Sequence, residues 1–512
     1  MVNDIAKGRV YLVGAGPGDP GLITAKGLHC IETADVLIYD YLAAKSFLSH
    51  ARPDCECIYV GKKGGDHTLS QDGINQLIVD KARQGHTVTR LKGGDPFIFG
   101  RGGEEAEILV AAGVRFEVVP GVTSAIAGPA YAGIPLTHRQ FTSTVAFVTG
   151  HEDPTKDASG IDWAALARGI GTLVFFMGVK NRPHIVERLV DNGRPAHTPV
   201  ALVRWGTTPR HKTVTGTLEN IVARAKAAAI KAPALIVVGE VVTLRDTLQW
   251  FEKRPLLGKR IVVTRARAQA SDLVQSLSDM GAECIECPTI HVVEPDSWQP
   301  LDDAIAGIEK YRWLIFTSVN GVRFFFDRLF ARGLDARALG HLKTAAIGPS
   351  TARRLLDFGI TTDILPETYR AESVAAAFAD VPLQGRRVLL PRAKEARAVL
   401  PEELRRMGAQ VDEIVAYQTV QVTDGQSDLL GALRLHDIDM VTFTSSSTVR
   451  NFKALLPESE VQDLIRGVAV ACIGPITADT AKSLGFKPDL VADEFTIEGL
   501  TTAISHYYPP KG

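Results

Sequence analysis

Residues Val10–Gly21 read VYLVGAGPGDPG: a short apolar run opening into a glycine turn. The run has the pattern of a buried strand. Gly16, Gly18 and Gly21 satisfy the G-x-G-x-x-G spacing of a dinucleotide loop. The residues between them argue otherwise. A pyrophosphate is held by backbone N–H groups at a helix N-terminus. Pro17 and Pro20 have no N–H to give, and Asp19 repels phosphate. The turn therefore suits a cationic or neutral ligand better, with a nicotinamide dinucleotide as the competing reading.

A second glycine-rich stretch, Leu91–Glu105, reads LKGGDPFIFGRGGEE and follows the strand-like Thr87–Leu91. Glycine lets backbone approach a ligand closely, and Phe97, Ile98 and Phe99 offer an apolar cover. Such a stretch at a strand's carboxyl end marks a small-molecule site in an α/β fold. S-adenosylmethionine, which carries sulfonium and ammonium charges and no phosphate, is a ligand of the kind the first turn favours.

Further buried-strand runs are Val36–Tyr39, Val145–Val148, Leu173–Phe176 and Leu235–Val238. Composition changes near Leu248; residues 249–257 are read as a linker, and a new strand begins at Arg260. Beyond it lies an internal repeat. Gly258–Ala266 aligns with Gly385–Ala393, Met280–Ala282 with Met407–Ala409, and Phe316–Ser318 with Phe443–Ser445, each 127 residues apart. Ile347–Ala352 returns as Ile473–Ala478 at an offset of 126. Each copy alternates apolar runs such as Trp313–Phe316 with helical spacing such as Leu273, Val274, Leu277 and Met280. That alternation predicts two doubly wound parallel sheets. Their carboxyl ends carry Thr264-Arg265, Thr317-Ser318, Gly348-Pro349, Pro391-Arg392, Thr444-Ser445 and Gly474-Pro475, lips rich in hydroxyl and N–H groups.

The chain has 512 residues, with 57 Lys plus Arg against 58 Asp plus Glu, a balance that argues against coating nucleic acid. No run of 18 apolar residues is present, so no membrane span is expected. The amino-terminal residues show no signal core, and six scattered cysteines fit a reducing cytoplasm. Cys284 and Cys287 make a lone C-x-x-C in a strand-like stretch, read as buried thiols, and no metal site is expected.

Several stretches carry a family resemblance: YLVGAGPGDPGLIT (Tyr11–Thr24), ADVLIYD (Ala34–Asp40), VGKKGG (Val60–Gly65), LKGGDPFIFGRGGEE, VVPGVTSAIAGPAYAGIPLTHR (Val118–Arg139), VAFVTGH (Val145–His151), TLVFFMGV (Thr172–Val179) and APALIVVGEVV (Ala232–Val242). Through them residues 8–248 resemble the uroporphyrinogen-III C-methyltransferases of the tetrapyrrole methylase family. The second half is similar to uroporphyrinogen-III synthase through VVTRA (Val262–Ala266), FTSVNGV (Phe316–Val322), AIGPSTA (Ala346–Ala352), AYQT (Ala416–Thr419), FTSSSTV (Phe443–Val449) and CIGPITA (Cys472–Ala478).

The resemblance implies an α/β chain: a two-lobed tetrapyrrole methylase fold over 1–248, then two flavodoxin-like doubly wound lobes over 258–512. One lobe holds about 258–291 plus 420–508 and the other about 292–419, because the first strand–helix–strand of each copy crosses over. The implied activity is bifunctional: hydroxymethylbilane is cyclised to uroporphyrinogen III, which takes two methyl groups from S-adenosylmethionine to give precorrin-2, feeding sirohaem and cobalamin. A homodimer through the methylase half is also implied.

The resemblance assigns Asp40 as proton acceptor and Lys62 as proton donor; a helix N-cap for Asp40 and a carboxylate-binding cation for Lys62 are the alternatives. Tyr41 departs from the pattern, since many relatives carry Arg there. Cofactor contacts are implied for Pro17, Gly93, Gly94, Asp95, Ile98, Thr123, Ser124, Met177 and Gly206, with core packing the alternative for Met177. Arg101, His138 and Arg139 are candidates for substrate carboxylates, His138 equally a structural histidine. In the second half Tyr417 is the candidate for assisting hydroxide departure, or a hinge-packing residue. Thr351, Ser446 and Thr477 are substrate-contact candidates or helix N-caps. Two rival readings remain open: a second half that is a bilobal ligand-binding module, and a dinucleotide-dependent first half.

Overall fold

The computed structural model describes residues 8–61, 69–151, 160–264, 267–287, 290–368, 370–396, 398–421 and 426–508. Two compact units emerge. The first is Met1–Ile261 with Gln275–Cys284 and Ile504–Gly512; the second is Val262–Val274 with Ile285–Ala503.

The first unit carries two five-stranded sheets. Strands β1 (Arg9–Gly14), β2 (Val36–Tyr39), β3 (Glu56–Tyr59), β4 (Thr87–Lys92) and β5 (Arg115–Val119) form one, in the order β3-β2-β4-β1-β5. Every pairing in it is parallel. The chain leaves β1 toward β2 and leaves β4 toward β5, so the connections of these two neighbours depart in opposite directions. That is a topological switch point, where the carboxyl ends open a crevice. Strands β6 (Val145–Thr149), β7 (Thr172–Phe176), β8 (Pro199–Arg204), β9 (Lys212–Thr217) and β10 (Ala234–Val238) form the other, ordered β6-β7-β10-β8-β9. Only β6 and β7 pair in parallel there; the remaining pairings are antiparallel.

Segment 249–257 is packed rather than loose. Phe251, Leu256 and Leu257 are buried, and the indole of Trp250 lies 5.0 Å from the ring of Tyr131. Glu252 accepts from His211 at 2.7 Å and from Arg245 at 2.5 Å. Burial alone would raise its carboxyl, but the hydrogen bonds from His211, Arg245 and Thr213 outweigh that and hold it at about 2.

Among its described residues the repeat region has ten strands: β11 (Arg260–Val263), β12 (Glu283–Glu286), β13 (Ile290–Val293), β14 (Trp313–Phe316), β15 (Lys343–Ala346), β16 (Arg387–Ala393), β17 (Gln410–Gln421), β18 (Met440–Phe443), β19 (Ala469–Cys472) and β20 (Leu490–Val491). They build sheets ordered β12-β11-β18-β19-β20 and β13-β17-β16-β14-β15. The repeat makes β11 equivalent to β16, β12 to β17, β14 to β18 and β15 to β19. Each sheet therefore joins the first two strands of one copy to later strands of the other. The equivalence reaches single hydrogen bonds: Asp363 accepts from the N–H of Thr344 at 2.7 Å, and Asp489 from that of Val470 at 2.9 Å. Burial holds each sheet; Phe316, Phe325 and Phe326 are fully enclosed beside β14, each contributing roughly 1.5–3 kcal/mol. Cys284 is half-buried and Cys287 buried, both as free thiols, and burial pushes Cys287 up to about 11.

Candidate functional site

The two glycine stretches meet at the switch point. Gly16 N–H donates to Gly94 O at 3.2 Å, Gly94 N–H to Gly16 O at 2.7 Å, and Ala15 N–H to Lys92 O at 2.7 Å. Gly121, ahead of the helix Ser124–Tyr131, completes the cradle. A Cβ on Gly121 would stand 2.3 Å from Gly94 O and 2.7 Å from the Gly14 Cα, so three backbones pack here with no room for a side chain. Gly94 has φ +70°, which glycine adopts without strain.

The first turn has its donors engaged. Asp19 N–H donates to Thr207 Oγ1 at 3.1 Å, Gly21 N–H to Asp19 Oδ1 at 2.8 Å, and Leu22 N–H to Asp19 O at 3.0 Å. With Pro17 and Pro20 lacking N–H, Gly18 is the only residue between Ala15 and Leu22 whose N–H is not bonded within this framework. A row of free donors for pyrophosphate does not exist, and the dinucleotide reading loses its physical basis. Asp19 also accepts from the Tyr131 hydroxyl at 2.6 Å, and burial together with that carboxylate pushes the phenol upward.

The nine residues implied as cofactor contacts are brought together. Pro17 lies in the engaged turn, and Gly93, Gly94 and Asp95 in the facing one. Thr123 caps the helix Ser124–Tyr131. Gly206 follows β8 and packs on that helix; a Cβ there would lie 2.7 Å from the Gly128 Cα. Ile98 is partly exposed, and Met177 is 54% exposed at φ +54°. That exposure removes core packing as an account of Met177. The neighbouring Phe99 and Phe176 rings are 4.9 Å apart. Asp95 is held by backbone donors: Oδ1 accepts from the N–H groups of Phe97 (2.8 Å) and Ile98 (3.1 Å), and Oδ2 from Gly121 (3.0 Å). It shapes the cradle, whatever else it binds. The donor set suits a ligand held by backbone groups, hydroxyls and apolar cover, so these residues fit S-adenosylmethionine.

Asp40 stands just past β2. Its Oδ1 accepts from Leu42 N–H at 3.1 Å within a turn, and no regular helix begins there, so it is not a helix cap. Oδ2 accepts from Arg90 at 3.2 Å. A Cβ on Gly93 would lie 2.5 Å from the Leu42 Cβ, which places the Asp40 turn beside the cradle. Tyr41 is exposed and edge-on to Trp205, centroids 6.1 Å apart. Lys62 lies outside the described residues. Arg101, at φ +59°, stands just ahead of the helix Gly102–Ala111 without a side-chain cap bond and pairs with Glu104, whose carboxyl it lowers. His138 Nδ1 accepts from Gln140 N–H at 3.3 Å in a turn closed on Thr142, so its ring supports that turn; Arg139 beside it is exposed.

Sequence reading missed a buried ionic cluster beneath this cleft. Arg90, Lys92 and Glu105 are 3%, 5% and 1% exposed. Burial and the charge of Arg90 lower the Lys92 ammonium, with Glu105 opposing. The available signal was the spacing of Arg90 and Lys92, two residues apart with Leu91 between them, which puts both on one face of the strand.

In the second half Tyr417 is 7% exposed, its hydroxyl 2.8 Å from Ser318 Oγ and its ring stacked on Phe324. Burial raises its phenol, with the Ser318 hydrogen bond acting against that. Thr351, Ser446 and Thr477 are not N-caps. The caps are Gly348, Ser445 and Gly474, and the three residues sit in the first turns that follow. Thr351 and Thr477 are buried, and Ser446 Oγ is 2.7 Å from Thr480 Oγ1. Tyr417 and Thr351 accompany the β13–β17 sheet, whereas Ser446 and Thr477 accompany the sheet containing β18 and β19.

Comparison with known proteins follows the same division. Residues 9–222 match the model of the tetrapyrrole (corrin/porphyrin) methylases, and residues 271–502 that of uroporphyrinogen-III synthase HemD. The porphyrin biosynthesis protein HemD of Ruminiclostridium josui is 37% identical over 96% of this chain and 97% of its own. The chain belongs to that family, a tetrapyrrole methylase joined to a uroporphyrinogen-III synthase. An S-adenosyl-L-methionine-dependent uroporphyrinogen III methyltransferase of Methanosarcina barkeri is 54% identical over 47% of this chain and 94% of its own. A Thermus thermophilus uroporphyrin-III C-methyl transferase solved with S-adenosyl homocysteine is 42% identical over 46% of this chain and all of its own, with a TM-score of 0.40. Among the described residues no helix is long and apolar enough to cross a membrane.

Proposed function

We propose that this protein carries out two successive reactions. The synthase half closes hydroxymethylbilane to uroporphyrinogen III with loss of water and inversion of one ring. The methylase half then adds two methyl groups at ring carbons, giving precorrin-2 for sirohaem and cobalamin. The observation that carries the reading is the cradle of Gly14, Gly94 and Gly121, whose neighbouring turn offers no row of free donors for a pyrophosphate.

S-adenosylmethionine, when bound, supplies a methyl group already activated by the sulfonium charge. The protein's part is to hold it by the Gly93–Asp95 and Thr123–Ser124 backbones, cover it with Ile98 and Met177, and align the pyrrole carbon. Alignment of this kind is worth roughly 7–11 kcal/mol. A pyrrole carbon is a weak nucleophile until its ring proton is withdrawn. Asp40, with 26% of its side chain exposed, accepts that proton; Lys62 returns one. Arg101, His138 and Arg139 receive substrate carboxylates.

The bilane loses hydroxide readily, so the synthase half acts mainly as a mould that selects one ring closure. Tyr417 assists hydroxide departure through its hydrogen bond with Ser318, while Thr351, Ser446 and Thr477 contribute to the walls. The enzyme works in the cytoplasm on small molecules, without nucleic acid or membrane, as a homodimer through the methylase half. Titration calorimetry of the full chain tests the cofactor assignment. S-adenosylhomocysteine is expected to bind and NAD to give no heat; binding of NAD alone would refute it.

A further inference from the structure

Three ionic side chains are shut between the first sheet and its helices, directly below Asp40. Glu105, on the helix Gly102–Ala111, has a fully buried side chain. Its Oε1 accepts from Lys92 Nζ at 2.7 Å, from Arg90 Nε at 3.3 Å and from Gln71 Nε2 at 3.3 Å. Its Oε2 is buried with no partner. Arg90 is engaged on every nitrogen: Nε with Glu105, Nη1 with the carbonyls of Leu91 (3.1 Å) and Ile38 (3.5 Å), and Nη2 with Asp40 Oδ2 at 3.2 Å. A guanidinium held on three sides cannot swing, and the carboxylate it grips is fixed with it.

Burying charge here is costly, and apolar residues of similar volume would stabilise the sheet at least as well. Capping does not explain the arrangement, since the Glu105 carboxylate accepts from the side chains of Lys92, Arg90 and Gln71. The geometry points to Glu105 as a positioning residue for methyl transfer: it holds Arg90, and through Arg90 it fixes the Asp40 carboxylate at the cleft. This rests on the reading of Asp40 as proton acceptor. Glu105 itself touches neither substrate nor cofactor.

The test is a double-mutant cycle on the full chain, with single-turnover methyl transfer, KM for uroporphyrinogen III and S-adenosylhomocysteine affinity measured for each variant. Glu105→Gln is expected to lower the transfer rate roughly 10²-fold, the scale of a small misplacement at a reacting centre. Cofactor affinity should stay within about twofold and KM should change far less than the rate, because the effect belongs to alignment. Arg90→Gln should lower the rate similarly, and Arg90→Gln/Glu105→Gln no further than Arg90→Gln alone. That pair also loses one charge of each sign, so it remains informative if Glu105→Gln folds poorly. Multiplying effects in the double variant, or a loss confined to thermal stability with the rate per folded molecule intact, would overturn the proposal. Asp40→Asn separates the two layers. A wild-type rate there removes the proton-acceptor reading itself, whereas an impaired Asp40→Asn with multiplying Arg90 and Glu105 effects removes only the positioning role.

Discussion

The two candidate sites are built on opposite principles. In the first unit the cleft rests on a buried ionic cluster and on backbones packed too closely for any side chain. In the repeat region, the candidate residues are a tyrosine bonded to a serine, two buried threonines and a serine paired with a threonine. The difference follows the chemistry. Methyl transfer to a pyrrole carbon needs a fixed acceptor, a fixed carbon and a dry donor pocket. Closing a bilane that reacts unaided asks chiefly for a shape.

Substitutions can break that contrast. Asp40→Asn should cost the most, lowering methylation ~10²–10⁴-fold while leaving bilane cyclisation by the same chain unchanged, as followed by separate assays of the two products. A matching loss of both activities would mean the sites are not independent. Gly121→Ala comes next. Its Cβ meets the Gly94 carbonyl and the Gly14 backbone, so S-adenosylhomocysteine affinity should fall at least ~10-fold, with destabilisation of roughly 1–3 kcal/mol in denaturant titrations. Tyr417→Phe should lower cyclisation by roughly tenfold at most, the scale of one neutral hydrogen bond; a far larger loss would give the second site a strong catalytic residue and erase the contrast.

Acid sharpens the comparison further. Glu252 has a folded value of about 2 against an ordinary value of 4.5, so its contribution is present above about 4.5 and is lost as pH falls toward 2. Thermal melts of the full chain should lose stability across that window, and Glu252→Gln should remove that part of the loss. The smallest effect expected is that of Ser445→Ala. Ser445 and Thr448 form a reciprocal cap on the helix Ser446–Leu455, worth about 0.5–2 kcal/mol, readable as a shift of the denaturation midpoint.

Much of the fold is written in local pattern. The first strand, its proline-bearing turn and the second glycine stretch are legible because strand burial and turn chemistry act over a few residues. The repeat is equally plain, yet its pairing is not: which copy supplies a strand's neighbour depends on contacts more than a hundred residues apart. The cluster of Arg90, Lys92 and Glu105 went unseen for a similar reason. Each residue alone reads as a solvated charge, and only the helix laid over β4 buries them together. Thr351, Ser446 and Thr477 carry the opposite lesson: hydroxyls beside a helix start suggest caps, but the residue ahead of each turn already takes that place.

One measurement bears most directly on the account. The full chain is given hydroxymethylbilane and S-adenosylmethionine under anaerobic conditions, and the tetrapyrrole products are weighed by mass spectrometry. The account predicts a cyclised product carrying two added methyl groups. A cyclised tetrapyrrole with no added methyl, or a bilane that closes no faster than without protein, would contradict it.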